Sequence, residues 1–252
     1  DFTSDAQLLW NHRQDGDADW YFVANPAATG VTARVTCRVR GAVEAWDPVT
    51  GAARALRVMT ETGAFTLDLA ACGSVFVVIR KGAAQASPAV RSVVSGALTP
   101  AGPWHVSFPE GWGAPARVTL DRLASWKEIL AAPEAKAFSG TARYETTVVV
   151  PGAVTGYELD LGRVEAWAKV WVNGKPVRSL WCEPYRCDVS GALKPGANTL
   201  VIEVTSTWRN RLIYDAGLPE AEQKTWTIRG PDKGAALGAS GLLGPVKLIR
   251  EK

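Results

Sequence analysis

Residues 31–39, VTARVTCRV, place Val31, Ala33, Val35, Cys37 and Val39 on one side of an extended chain. Thr32, Arg34, Thr36 and Arg38 fall on the other side. A period of two is the signature of a half-buried β-strand, because successive side chains point to opposite faces. The pattern recurs along the chain. In 141–150, TARYETTVVV, Tyr144, Thr146, Val148 and Val150 alternate with Glu145, Thr147 and Val149. In 64–69, Phe65, Leu67 and Leu69 share a face. Further strands are predicted at 20–25, near 54–59, and at 74–80, 157–162 and 198–206, with KLIR closing the chain. Turn chemistry separates them: Asp47, Pro48 and Gly51 in AWDPVTG, Pro195-Gly196, and Asn173-Gly174 at the tip of a hairpin over 164–177. Short strands at regular spacing predict an all-β protein of sandwich or jelly-roll type.

A length of 252 residues accommodates two domains. The stretch 95–103, SGALTPAGP, is rich in small residues, Gly and Pro and predicts a linker or domain boundary. The organisation read here is a β-sandwich at 1–97 and a second, different sandwich at 98–252. One helix is predicted, over 121–132, with Asp121 as its cap and Leu123, Trp126, Ile129 and Leu130 at helical spacing. Residues 207–245 show little periodicity and predict a long loop, a feature that in a compact domain is often functional.

Composition excludes several classes. A net charge of +3 with no basic cluster among aromatics gives nucleic acid no footprint. No apolar run approaches the roughly 20 residues of a membrane helix. Met59 is the only methionine and the chain begins at Asp1. That start predicts either a removed signal or a segment of a longer protein. Of four cysteines, Cys37 is expected as a buried thiol. Cys182 and Cys187 flank WCEPYRC, where a local disulfide is open in an oxidising compartment. No CxxC pair or histidine partner supports zinc; the histidines are His12 and His105.

No GxSxG, GxxxxGK or HExxH motif is present, and a Ser-His-Asp triad on His12 or His105 has no signature. Glycoside hydrolysis requires two carboxylates at a set separation. Glu183 and Asp215 are the best-placed carboxylates, with pairing to Arg186 or Arg211 as the alternative. The binding case rests on two groups. Trp167 and Trp171 share a strand face with Glu165 and Lys169, where flat rings beside a charge suit a sugar or pack under a neighbouring domain. The run Trp208, Arg209, Asn210, Arg211, Tyr214, Asp215 gathers amide, guanidinium and aromatic groups suited to hydroxyls or carboxylates. Its alternative is a self-buttressing loop in which Arg211 pairs with Asp215.

Several runs carry a resemblance. AKVWVNGKPV (168–177), PYRCDVSGALKPGANTLVIEVTSTWRNRLIYDAGLP (184–219) and SGLLGPVKL (240–248) resemble the C-terminal β-sandwich of glycoside hydrolase family 106 and related rhamnosidase-like enzymes. They are also similar to the sugar-binding, galactose-binding-like jelly roll of family 2 enzymes. NHRQDGDADWYFVAN, AWDPVTG, GSVFVVI and GPWHVSF resemble the stretch after the family 106 catalytic barrel. The resemblance implies two β-sandwich domains, the second a galactose-binding-like jelly roll. It also implies a catalytic (α/β)₈ barrel upstream of Asp1 in the same polypeptide. On that basis the chain is expected to be a non-catalytic accessory, carbohydrate-binding region of a secreted or periplasmic bacterial enzyme, inactive alone. A stand-alone carbohydrate-binding module and a structural docking module are the alternatives. By the family 2 analogy Asn210 and Arg211 are the first substrate-facing candidates, and His12 and Arg13 the second. Trp208, Asp215, Trp167 and Trp171 complete the predicted substrate-binding set. No cofactor or catalytic residue is predicted, and a structural calcium stays open because galactose-binding-like folds often hold one.

Overall fold

The computed structural model describes residues 1–82 and 94–251. The chain divides into two compact units, Asp1–Arg91 and Ser92–Lys252.

In the first unit the strands are β1 (Phe2–Ser4), β2 (Leu9–Asp15), β3 (Ala18–Ala24), β4 (Val31–Cys37), β5 (Ala42–Trp46), β6 (Ala53–Leu56), β7 (Ala64–Leu69) and β8 (Ser74–Arg80). They form a three-stranded sheet, β1-β4-β7, and a five-stranded sheet, β2-β3-β8-β5-β6. Ala33, Val35 and Cys37 of β4 and Phe65 and Leu67 of β7 meet Tyr21, Val23, Val77 and Ile79 of the other sheet in one core. The period-two pattern is thus realised as the inward face of a sandwich. At the turn after β5, the Asp47 carboxylate accepts the N–H groups of Val49 and Thr50. Cys37 is buried, as its place in the alternation requires, and burial pushes its thiol up to about 12.

The second unit begins with β9 (Val94–Leu98), β10 (Trp104–Ser107) and β11 (Arg117–Leu120). Two one-turn helices follow, α1 (Trp126–Ile129) and α2 (Pro133–Lys136). Then come β12 (Thr141–Val150), β13 (Tyr157–Asp160), β14 (Arg163–Glu165), β15 (Trp167–Val172), β16 (Lys175–Leu180), β17 (Arg186–Asp188) and β18 (Gly196–Thr205). Helix α3 (Arg209–Asp215) precedes β19 (Gly241–Gly244) and β20 (Lys247–Glu251). A six-stranded sheet, β11-β10-β12-β18-β15-β16, faces a four-stranded one, β17-β13-β20-β9. Tyr144, Val148, Val170 and Ile202 from the first sheet share a core with Leu159, Cys187 and Leu248 from the second. Both units are therefore β-sandwiches, and the all-β reading holds.

Four local readings are corrected. The stretch 95–103 is not all linker: Val94–Leu98 is a strand paired with β20. Sheet pairing overrides its weak local propensity. The predicted helix over 121–132 is reduced to the single turn of α1, which Asp121 does not cap. The Trp126 N–H instead bonds the Ser240 carbonyl across the fold. The strand expected to run unbroken from Val164 splits at Ala166. Val164 pairs with β19 while β15 pairs with β18 and β16. The loop 207–245 contains α3 and β19, whose patterns are too short to read as periodic. No disulfide forms among Cys37, Cys72, Cys182 and Cys187. Cys187 is buried in β17 and burial pushes its thiol up to about 12.

Candidate functional site

Helix α3 follows β18 directly, and its register decides which of the predicted residues face outward. Arg211 and Asp215 sit one turn apart on the inward side, each only 1% exposed. Arg211 Nη2 lies 2.7 Å from Asp215 Oδ1, and Nη1 donates to Glu134 Oε1 at 2.8 Å. The guanidinium also packs over the rings of Trp112 and Tyr214. Asp215 Oδ2 accepts from Thr225 N, Thr225 Oγ1 and Lys224 N at 2.7, 2.7 and 3.1 Å. Lys224 Nζ in turn bonds Glu134 Oε1 and the Gly111 carbonyl. Of the two sequence readings for this pair, the structure realises the buttressing one. Arg211 and Asp215 are turned inward and spent on protein partners. They tie α2, α3, the 111–113 turn and the 224–225 segment together.

The titration of this network follows from its geometry. Burial pushes the Asp215 carboxyl up, but hydrogen bonds from Arg211 and Thr225 outweigh it and hold it below the usual carboxylate range. Hydrogen bonds from Lys224 and Arg211 hold Glu134 low as well.

Asn210 is buried too, at 4% exposed, but takes different partners. Its side chain is paired with the Gly238 backbone, Oδ1 accepting the N–H at 2.8 Å and Nδ2 donating to the carbonyl at 3.1 Å. It also lines a cavity of about 310 Å³ within the second unit, shared with Arg163, Glu165, Thr207, Arg209 and Ser240. The cavity lies between β14, the 206–210 segment that joins β18 to α3, and residues 238–240 just before β19. Arg163 and Glu165 are paired at 2.7 Å on its wall. Arg209 is exposed, and its guanidinium has no partner among the described residues. Ser240 is 1% exposed and its hydroxyl has no hydrogen-bond partner.

The other predicted residues lie apart from this cavity. Trp208 is half exposed and its ring rests against Trp112, with centroids 5.3 Å apart. Trp167 and Trp171 share one face of β15, as the alternation requires, and are half-buried. Lys169 Nζ sits over the Trp167 ring at 4.9 Å. In the first unit His12 bridges Asp1 and Asp19 and stacks on Tyr21, while Arg13 is exposed on the same strand. Glu183 is exposed, and Arg186 pairs with Asp160 instead. Among the described residues no group of three or more His, Cys, Asp or Glu is placed to hold a metal ion.

Sequence reasoning missed Arg163, Glu134, Lys224 and Ser240. Glu134 and Lys224 lie far from α3 in sequence, and nothing local marks them as its partners. Ser240 stood inside a quoted motif, SGLLGPV, without a signal of its own.

Two antiparallel sheets closed over one core make the second unit a β-sandwich. Residues 134–233 match the family described as Glycosyl hydrolase 2 galactose-binding domain-like. A putative beta-glucuronidase from Formosa agariphila is 38% identical over 176 residues, which is 59% of this chain and 15% of that protein. A rhamnosidase structure from Novosphingobium sp. PP1Y is 36% identical with a TM-score of 0.81, over 99% of this chain and 25% of that one. The chain thus spans a quarter or less of either relative.

Proposed function

We propose that this chain is the accessory β-sandwich region of an α-L-rhamnosidase-like glycoside hydrolase, of the family 106 kind. In this reading catalysis belongs to a barrel elsewhere in the same polypeptide, working outside the bacterial cytoplasm. The observation that carries the reading is the extent of the rhamnosidase likeness: 99% of this chain at 36% identity, against 25% of the enzyme.

Two features of the second unit support it. A glycosidase acid needs a carboxyl whose pKa is raised. Asp215 and Glu134 are shifted the opposite way. Trp226 and Ile228 are 79% and 86% exposed, although the backbone just before them is fastened to Asp215. Large apolar side chains on an anchored segment suit a surface kept for a neighbour, here the remainder of the polypeptide.

The test uses the intact polypeptide and 4-nitrophenyl α-L-rhamnopyranoside. Glu134→Gln, Glu165→Gln, Glu183→Gln and Asp215→Asn should each keep kcat within about tenfold. A loss beyond about 10³-fold from any one of them in folded protein, the size expected for a missing catalytic acid or base, overturns the reading.

A further inference from the structure

Between Thr225 and Leu237 the chain runs as a loop whose two ends are both fastened. At the outgoing end Asp215 Oδ2 accepts the Lys224 and Thr225 N–H groups, and Lys224 Nζ donates to Glu134 and to the Gly111 carbonyl. At the returning end Lys127 Nζ donates to the Leu237 carbonyl at 2.7 Å, and the Asn210 side chain holds both backbone groups of Gly238. The Ser240 N–H then donates to Ser125 Oγ at 3.0 Å. The span between, residues 226–236, contains no helix or strand. Its internal backbone bond joins the Ala235 N–H to the Asp232 carbonyl. Arg229, Gly230, Lys233 and Gly234 are all exposed. A Cβ on Gly234 would meet nothing within 4 Å, so the loop stands clear of the fold there.

We propose that Arg229–Gly230 and Lys233–Gly234 form a site of limited proteolysis for an enzyme that cuts after a basic residue, and that the cut protein stays assembled. A protease draws an extended run of backbone into its cleft. Paired strands resist it until they open, and exposed loops without such pairing are cut first. Arg143 in β12 and Lys169 in β15, by contrast, are tied into the sheet on both sides. In the cut, water adds across the peptide bond, leaving a carboxylate on Arg229 or Lys233 and an amine on the glycine after it. The residues downstream still carry β19, paired with β14, and β20, paired with β13 and β9. They also bury Leu242, Val246 and Leu248 in the core of the second unit. None of those contacts passes through the loop, so opening it leaves them in place.

Limited trypsin digestion of the 252-residue chain tests it, with fragments identified by mass and the cut protein run on a native sizing column. Trp226 and Ile228 are exposed in this chain, so the outcome stands apart from the function proposed above. Within residues 94–252 the first cuts should fall after Arg229 or Lys233, at least about tenfold faster than after Arg143 or Lys169. The two pieces should run as one species on the column and part only in urea. Arg229→Gln combined with Lys233→Gln should slow the loss of intact residues 94–252 about tenfold or more, because no other basic residue there is cut as readily. Both side chains are exposed, so the melting temperature should hold. A first cut elsewhere within residues 94–252 overturns the proposal. So does a piece beginning at Gly230 or Gly234 that elutes apart from the rest, or digestion of residues 94–252 that the double change leaves unslowed.

Discussion

Arg211 shows how far a side chain's chemistry is set by what surrounds it. In sequence it is a guanidinium beside an amide in an apparent loop, and sugar recognition is the natural expectation. In the structure it is buried between two rings and two carboxylates. Taking it away strands Asp215, a buried carboxylate with backbone donors still attached. Arg211→Ala should therefore cost about 3–5 kcal/mol in urea unfolding. The same network sets a pH dependence. Asp215 and Glu134 have folded pKa values below their unfolded ones. Their contribution to stability is complete above the unfolded values, near about 4, and is lost as pH falls through the lower folded values. The urea midpoint should hold from pH 7 to 5 as far as these groups decide it, and fall below about pH 4. Asp215→Asn should lower the midpoint at pH 7 and flatten that acid decline; an unchanged decline would contradict the assignment. The Arg211–Asp215 pair was legible as opposite charges four residues apart in a predicted loop; that this segment is a helix, which brings such neighbours together, was not. Which way the pair faces was not, since that depends on Glu134, Trp112 and Lys224.

Strands that alternate cleanly could be read from the sequence because each face has one fate. β7 and β8 fall at the predicted bounds, and β12 buries Ala142, Tyr144, Thr146, Val148 and Val150 as its alternation demands. The Asn173-Gly174 turn was equally plain, and both residues take positive φ. It is also tied in, as Asn173 bonds Asn198 and the Ala192 carbonyl. Elements defined by distant contacts were not legible. The Trp126 Nε1–H donates to Tyr144 Oη at 2.6 Å, and the Leu242 N–H donates to the same oxygen at 3.1 Å. That junction joins α1, β12 and β19, and Gly241 makes room for it. A Cβ there would lie 2.5 Å from Trp126 Nε1 and 2.7 Å from Tyr144 Oη, at a φ of +93°. Gly241→Ala should destabilise the second unit by about 2–4 kcal/mol in chemical denaturation. A change under about 0.5 kcal/mol would mean the junction yields freely.

The molecule as a whole is two sandwiches, and in the candidate site Glu134, Asp215 and Glu165 are each paired with an arginine. Its likeness to a rhamnosidase covers nearly all of its own length and a quarter of that enzyme's. If the remainder of the polypeptide meets the Trp226–Ile228 segment, Trp226→Ala with Ile228→Ser should leave the urea midpoint of the 252-residue chain unchanged. The same pair of changes should lower the melting temperature of the intact polypeptide; no change in either would remove this surface from the account. The measurement that bears most directly on the account is an aryl-rhamnoside assay of the purified 252-residue chain beside the intact polypeptide. The account predicts release of nitrophenol by the intact protein and none by the chain. Steady turnover by the chain, lost on replacing one of its own carboxylates, would contradict it.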